Sequence, residues 1–318
     1  MQLLKNLTTI DFIGLRKIAL IVSIALLIAG VYSLSTQGLN YGIDFTGGTK
    51  VELIYESDVD VNSLRATLSN NGYDDAVVQL FGSSNDVLIR VPLSEENSSA
   101  EVSTNIVELL SSETTDDLEV RAVEFVGPQF GQELFEKGVL ALVYALIGVM
   151  IYVAFRFEWK FSLGSVAALI HDILITVGLF SLLGLEFTLP VLAALLAVIG
   201  YSLNDTIVVF DRIRENFRKL REVDTKETMN VSINQTLPRT ILTSLTTLLV
   251  LAALYVYGGE ALSGFAATLI IGVLIGTYSS IFVASPTVLA LGAKAEDLMV
   301  EIVEKEGADI EQPDIYQP

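Results

Sequence analysis

VIGYSLNDTIVVFDRIREN, residues Val198 to Asn216, begins as an apolar helix, sets Asn204, Asp205 and Thr206 in succession, and turns apolar again before Asp211, Arg212 and Arg214. The step from Asp205 to Arg212 is roughly 10 Å of helix at about 1.5 Å per residue. If Arg212 marks a membrane interface, the Asp205 carboxyl lies well inside the bilayer. A charged side chain there costs about 2.5–3.5 kcal/mol, and acids in such places mark ion pathways or proton relays. The competing reading is an acid kept only to pair helices.

The rest of the chain supports a membrane setting. Its 318 residues are 52% apolar, the mean hydropathy is +0.57, and the apolar residues come in blocks long enough to cross a bilayer. The absence of cysteine excludes disulfides, thiolate nucleophiles and cysteine metal sites, and a single histidine, His171, leaves little for a zinc centre. No Walker A loop, dinucleotide fingerprint, H-E-x-x-H or G-x-S-x-G is present, so no enzyme activity, cofactor or metal is expected.

The expected fold is a polytopic α-helical membrane protein with six transmembrane helices, at residues 18–34, 137–155, 161–184, 189–210, 240–257 and 262–284. The first block, preceded by Lys5, Arg16 and Lys17, also has the flanks of a signal peptide, with AGVYS (residues 29–33) as a cleavage site; its length favours a permanent span. Between the first two spans, residues 35–136 hold 19 acids and four bases, −15 of the net −19. Segments poor in bases belong outside and bases belong inside, which puts residues 1–17, the basic loop 211–239 and the acidic tail 292–318 in the cytoplasm, with both termini there. Seven bases and four acids run from Arg212 to Arg239. Topology alone accounts for that loop; anionic lipid or a cytoplasmic partner is the alternative. The tail from Lys294 reads as disordered.

Within residues 35–136, strand patterns at 50–55, 77–81, 87–91 and 118–125 alternate with helical patterns at 59–71 and 95–111, with GSSND (residues 82–86) as a turn. The order β-α-β-β-α-β is that of an α+β, ferredoxin-like domain, here periplasmic.

Arg239, at the apparent start of the fifth span in LPRT, is the natural partner for Asp205, although a snorkelling interface arginine reads the same way. A permanently charged arginine favours the ionised carboxylate and low-dielectric burial favours the neutral one, a competition that suits a group that must take and release a proton. In the third span, His171 and Asp172 sit near the midplane. Adjacent helical positions point about 100° apart, so no common partner is expected. His171 reads as a packing residue or a relay, and Asp172 as the stronger relay candidate. Asn204 and Thr206 complete the secondary candidates. Gly272 and Gly276, four apart, permit close helix contact, within the chain more readily than with a partner.

Six blocks together resemble one family. They are YGIDFTGGT (residues 41–49, carrying Gly42, Asp44, Phe45, Gly47 and Gly48), FVGPQFG (125–131), FRFEWK (155–160), AALIHD (167–172), the opening stretch, and QTLPRTILTS (235–244). The chain is identified by them as a member of the SecD/SecF family of protein-export membrane proteins, within the resistance-nodulation-division superfamily. The resemblance implies a multi-pass protein of the bacterial inner membrane, paired with SecD as an obligate six-span partner beside the SecYEG channel. It further implies YajC and YidC as neighbours, preproteins as clients, protons as the coupling ion and no nucleic-acid partner. It puts Asp205 and Arg239 in the proton relay. A proton-coupled half-transporter of a small molecule or lipid, and a translocon scaffold without proton coupling, are the alternative functions.

Overall fold

The computed structural model describes residues 10–81, 83–92, 99–113, 118–220 and 222–293. In chain order the elements are α1 (Arg16–Thr36), β1 (Asn40–Tyr41), α2 (Ile43–Thr46), β2 (Gly48–Tyr55), α3 (Val61–Asn70), β3 (Val77–Phe81), β4 (Ser83–Val91), α4 (Ser99–Glu113), β5 (Leu118–Val126), α5 (Pro128–Arg156), α6 (Trp159–Leu183), β6 (Glu186–Phe187), α7 (Leu189–Lys219), α8 (Thr225–Tyr257), α9 (Glu260–Ser279), a π-helical turn (Ser280–Ala284) and α10 (Ser285–Ala290). Among the described residues, six helices are long and apolar enough to cross a membrane: α1, α5, α6, α7, α8, and α9 continued through α10.

The insert between α1 and α5 is one antiparallel sheet in the order β3-β4-β2-β5. Alternation decides its faces. Val51, Leu53, Val87 and Ile89 point one way and are buried under Leu68 of α3 and Ile106 and Leu110 of α4. The expected turn over residues 82–86 is corrected: β4 starts at Ser83 and pairs with β2 out to Asp86 opposite Ile54. Turn-forming residues are drawn into the strand from its two flanks, Ser83 lying opposite Phe81 of β3 and Asp86 opposite Ile54 of β2. The helix expected over 95–111 runs from Ser99 to Glu113, and residues 95–98 lie outside the described residues.

In the bundle, α6, α7 and α9 form the buried centre, and α1, α5 and α8 present Ile21, Ile28, Tyr144, Ile151, Leu249 and Val250 on the outside. Glycines set the closest approaches. A Cβ on Gly178 of α6 would lie 2.6 Å from the Gly30 Cα of α1, and one on Gly276 of α9 would lie 2.9 Å from the Ser202 Cβ of α7. The small-residue pair on α9 thus packs within the chain, as small residues do where helices meet closely.

The basic loop 211–239 is the main correction. Most of it is helix: α7 continues to Lys219, α8 begins at Thr225, and Asp224 caps α8 by accepting from the Lys226 N–H at 3.2 Å. Pro238 lies inside α8, so Arg239 is far from a helix start. A proline in a helix interior costs about 3 kcal/mol. The helix persists because the turns before Pro238 are held from outside. Asn234 exchanges two hydrogen bonds with the Ile10 backbone (3.1 and 2.8 Å), and Asn230 accepts from Ile13 N–H at 2.9 Å and donates to Asp11 at 2.7 Å. The link between α6 and α7 contains β6, which pairs in parallel with β1. The sixth span continues past residue 284, through the π-helical turn to Ala290. The acidic tail beyond Ala293 lies outside the described residues.

Candidate functional site

Asp205 lies mid-way along α7 and is 3% exposed. Its Oδ2 has no hydrogen-bond partner among the described residues. Arg239 of α8 is the charged neighbour that acts on it through space, and no ion pair within 4 Å joins the two. Arg239 itself is exposed and lines a cavity of about 370 Å³ with Arg156, Asp211, Arg212, Glu215 and Gln235. Ile207 and Val208, the second and third residues after Asp205, line the same cavity. A cavity with charged lining therefore reaches α7 within one turn of a buried carboxyl. Of the neighbours of Asp205 in sequence, Thr206 is buried and Asn204 is exposed on another face of α7, so Asn204 is not part of this cluster.

Asp172 is the opposite case: it is 0% exposed and fully bonded. Its Oδ2 accepts from Ser202 of α7 at 2.6 Å and from Ser279 of α9 at 2.7 Å, and its Oδ1 meets His171 Nδ1 at 3.0 Å. The two adjacent side chains bend toward each other despite their angular separation. Their other partners are distinct, as expected: His171 Nε2 meets Ser23 of α1 at 3.1 Å, and Ser23 meets Tyr278 at 3.0 Å. Four helices are joined through one carboxyl–imidazole pair. Ser23, Ser202, Tyr278 and Ser279 escape sequence reasoning because hydroxyls are common in spans and bond their own helix backbone. The usable signal was the need of a buried acid for donors.

The glycine-rich signature occupies the other end of the bundle from Arg156 and Asp211. Asp44, in α2, accepts the Leu189 N–H at the first residue of α7 at 2.8 Å, satisfying one of the donors a helix start leaves open. Phe45 is buried with Phe180, Phe187, Val191 and Leu195. Gly47 has φ +73°, and Gly48 has φ +136° and would set a Cβ 2.6 Å from the Val91 carbonyl oxygen, so neither position admits a side chain cheaply. Gly42 donates its N–H to Phe187 O at 2.9 Å. Arg90 of β4, nearly buried, pairs with Glu186 of β6 at 2.9 Å. The signature is thus a joint between the four-stranded sheet and the first turn of α7.

Two family models match this chain. The protein export membrane protein SecD/SecF C-terminal family covers residues 106–294, and the SecD/SecF GG motif covers residues 32–59, which include the joint just described. The chain is 47% identical to protein translocase subunit SecF of Vibrio alginolyticus, over 98% of this chain and 99% of that one. It is also 47% identical to the SecF subunit of Pseudomonas aeruginosa, over 92% and 94%. Among solved structures, it is similar to SecDF, a translocon-associated membrane protein from Thermus thermophilus, with a TM-score of 0.81 at 41% identity over 92% of this chain. It spans 39% of that longer SecDF chain. The chain belongs to the SecD/SecF family of protein-export membrane proteins.

Proposed function

We propose that this chain is the SecF-type half of a SecD–SecF complex that uses the proton motive force to help preproteins across the bacterial inner membrane with SecYEG. It acts as an accessory transport subunit, not an enzyme, with YajC and YidC as neighbours in the assembly. Similarity to translocase SecF subunits, and to part of a single SecDF chain, supports the pairing with a second six-span half.

The observation that carries the proton coupling is Asp205: a carboxyl buried in a span, with an unbonded oxygen, beside a cavity lined by Arg239. A group held that way gains or loses a proton at the expense of its surroundings, and buried unsatisfied groups in native proteins call for such a reason. Protonation removes its attraction to Arg239 and lets α7 and α8 repack. One proton crossing 100 mV supplies about 2.3 kcal/mol, on the scale of about 1–3 kcal/mol that couples distant sites.

The sheet order β3-β4-β2-β5 with both helices on one face supports a ferredoxin-like reading of the insert. The bases Arg156, Lys160, Arg212, Arg214 and Lys219 gather at the bundle end opposite the insert, which supports a periplasmic insert and cytoplasmic termini. Through the Asp44–Leu189 and Arg90–Glu186 contacts, motion of α7 reaches the insert.

Inverted vesicles with and without this chain, each containing SecYEG and the SecD partner, test the proposal. An imposed proton gradient is expected to speed preprotein entry only where the chain is present. Equal stimulation in both preparations would overturn it.

A further inference from the structure

His171 is the chain's one histidine, and the directions of the hydrogen bonds around it can be counted. The Tyr278 hydroxyl has one hydrogen and donates it to the Ala19 carbonyl at 2.7 Å, since a carbonyl only accepts. The 3.0 Å contact between Ser23 Oγ and Tyr278 Oη therefore uses the Ser23 hydrogen. Ser23 Oγ is then the acceptor at its 3.1 Å contact with His171 Nε2, and Nε2 carries a proton. On the other side of the ring, Nδ1 and Asp172 Oδ1 are 3.0 Å apart. A bare Nδ1 facing a carboxylate would oppose two lone pairs, so one more proton lies on this contact. It sits on Nδ1 against an ionised carboxyl, or on Oδ1 against a neutral imidazole; either way the pair has no net charge.

We propose that His171 and Asp172 form a proton-binding site distinct from Asp205, holding one proton between Nδ1 and Oδ1 at the junction of α1, α6, α7 and α9. The zero exposure of Asp172 fits, because a neutral hydrogen-bonded pair avoids the cost of a lone buried charge. The site also has room for a second proton. Ser279 Oγ lies 2.7 Å from Asp172 Oδ2 and 3.2 Å from the Gly276 carbonyl, one hydrogen with two acceptors. Turned to Gly276, Ser279 becomes the acceptor for a proton added to Oδ2, and the pair gains a charge by rotation of one hydroxyl.

Around the pair, Tyr278 of α9 is the titratable group in reach, and His171 stacks on its ring with centroids 6.1 Å apart. On α7, Asp205 follows Ser202 by about one turn. On α1, Arg16 and Lys17 lie about two turns before Ser23, and on α5 Glu133, Glu136 and Lys137 lie in about the first three turns and Arg156 at the other end. A change of proton count here alters the bonds that join four helices. That role in coupling rests on the proposed function, whereas the proton count rests on geometry alone.

The test is magnetic resonance of the full chain in lipid nanodiscs at neutral pH, with isotope-labelled histidine and aspartate; the single histidine makes its assignment unambiguous. The expected result is a protonated Nε2 together with one further proton, on Nδ1 or on the Asp172 carboxyl correlated with it. A bare Nε2, or a protonated Nε2 with a bare Nδ1 and an ionised Asp172, would overturn the proposal. The wild-type chain suffices, so no variant need fold. Loss of gradient-stimulated export would instead bear on the proposed function and leave this count untouched.

Discussion

The Asp44 carboxylate accepts the backbone N–H of Leu189 at 2.8 Å, so a turn at the base of the sheet domain caps the helix that carries Asp205. The two are 145 residues apart in sequence. A carboxylate at a helix start gains from both the open N–H groups and the helix dipole.

Replacing Asp44 with Ala removes that cap and should cost about 1 kcal/mol, in the range measured for lost helix caps. Asp44→Asn keeps an acceptor and should cost less. Thermal unfolding of the chain in nanodiscs checks the order, wild type above Asn above Ala; equal melting of all three would show that the contact adds no stability.

Glycines give a second test, because their neighbours differ. In Gly178→Ala the new methyl meets the Gly30 backbone at 2.6 Å, which cannot turn aside, whereas at Gly148 nothing lies within 4 Å. Gly178→Ala should destabilise the contact of α1 with α6 by about 1–3 kcal/mol, as overpacking does. Gly148→Ala should be neutral or stabilising by up to about 1 kcal/mol, since alanine suits a helix interior better. The difference in unfolding midpoints reads this directly.

At the basic end, Asp11 ties the segment before α1 to α8. Its carboxyl is held below the ordinary carboxylate range, first by the Gly14 N–H and then by the Asn230 side chain, with a smaller pull from Arg16. A lowered folded-state value means that the stabilising contribution is present above the unfolded value, near 3.9, and is lost as pH falls through the lower folded one. Protection of the Gly14 N–H, its exchange rate set against the intrinsic rate at each pH, should therefore be high at neutral pH and fall only in that acid window. In Asp11→Asn, protection should lose this pH dependence.

Much of this architecture is legible in the residues. The six spans follow from apolar block length, and Asp205, Asp172 and His171 stand out because polar groups are rare inside a bilayer. Arg239 was harder to place. LPRT has the look of a helix start, since proline favours the first turn, and only the distant clasp of Asn230 and Asn234 on residues 10–13 explains why α8 runs through it. Tertiary contact overrode a local signal there, as it did for Ser83–Asp86 in β4. The Ser202 and Ser279 bonds to Asp172 depend on which helix faces pack together. Likewise the joint built by Asp44 and Gly48 depends on where α7 and β4 arrive, and a motif of glycines does not reveal that.

The most direct test of proton coupling compares the wild-type chain with Asp205→Asn and Arg239→Met in inverted vesicles, each assembled with the partner subunit to the same level. Preprotein entry is followed with and without an imposed proton gradient. If Asp205 and Arg239 carry the coupling step, the gradient accelerates entry for wild type and leaves both variants at the rate seen without it. Equal acceleration of all three would contradict the account and reduce the pair to a structural role.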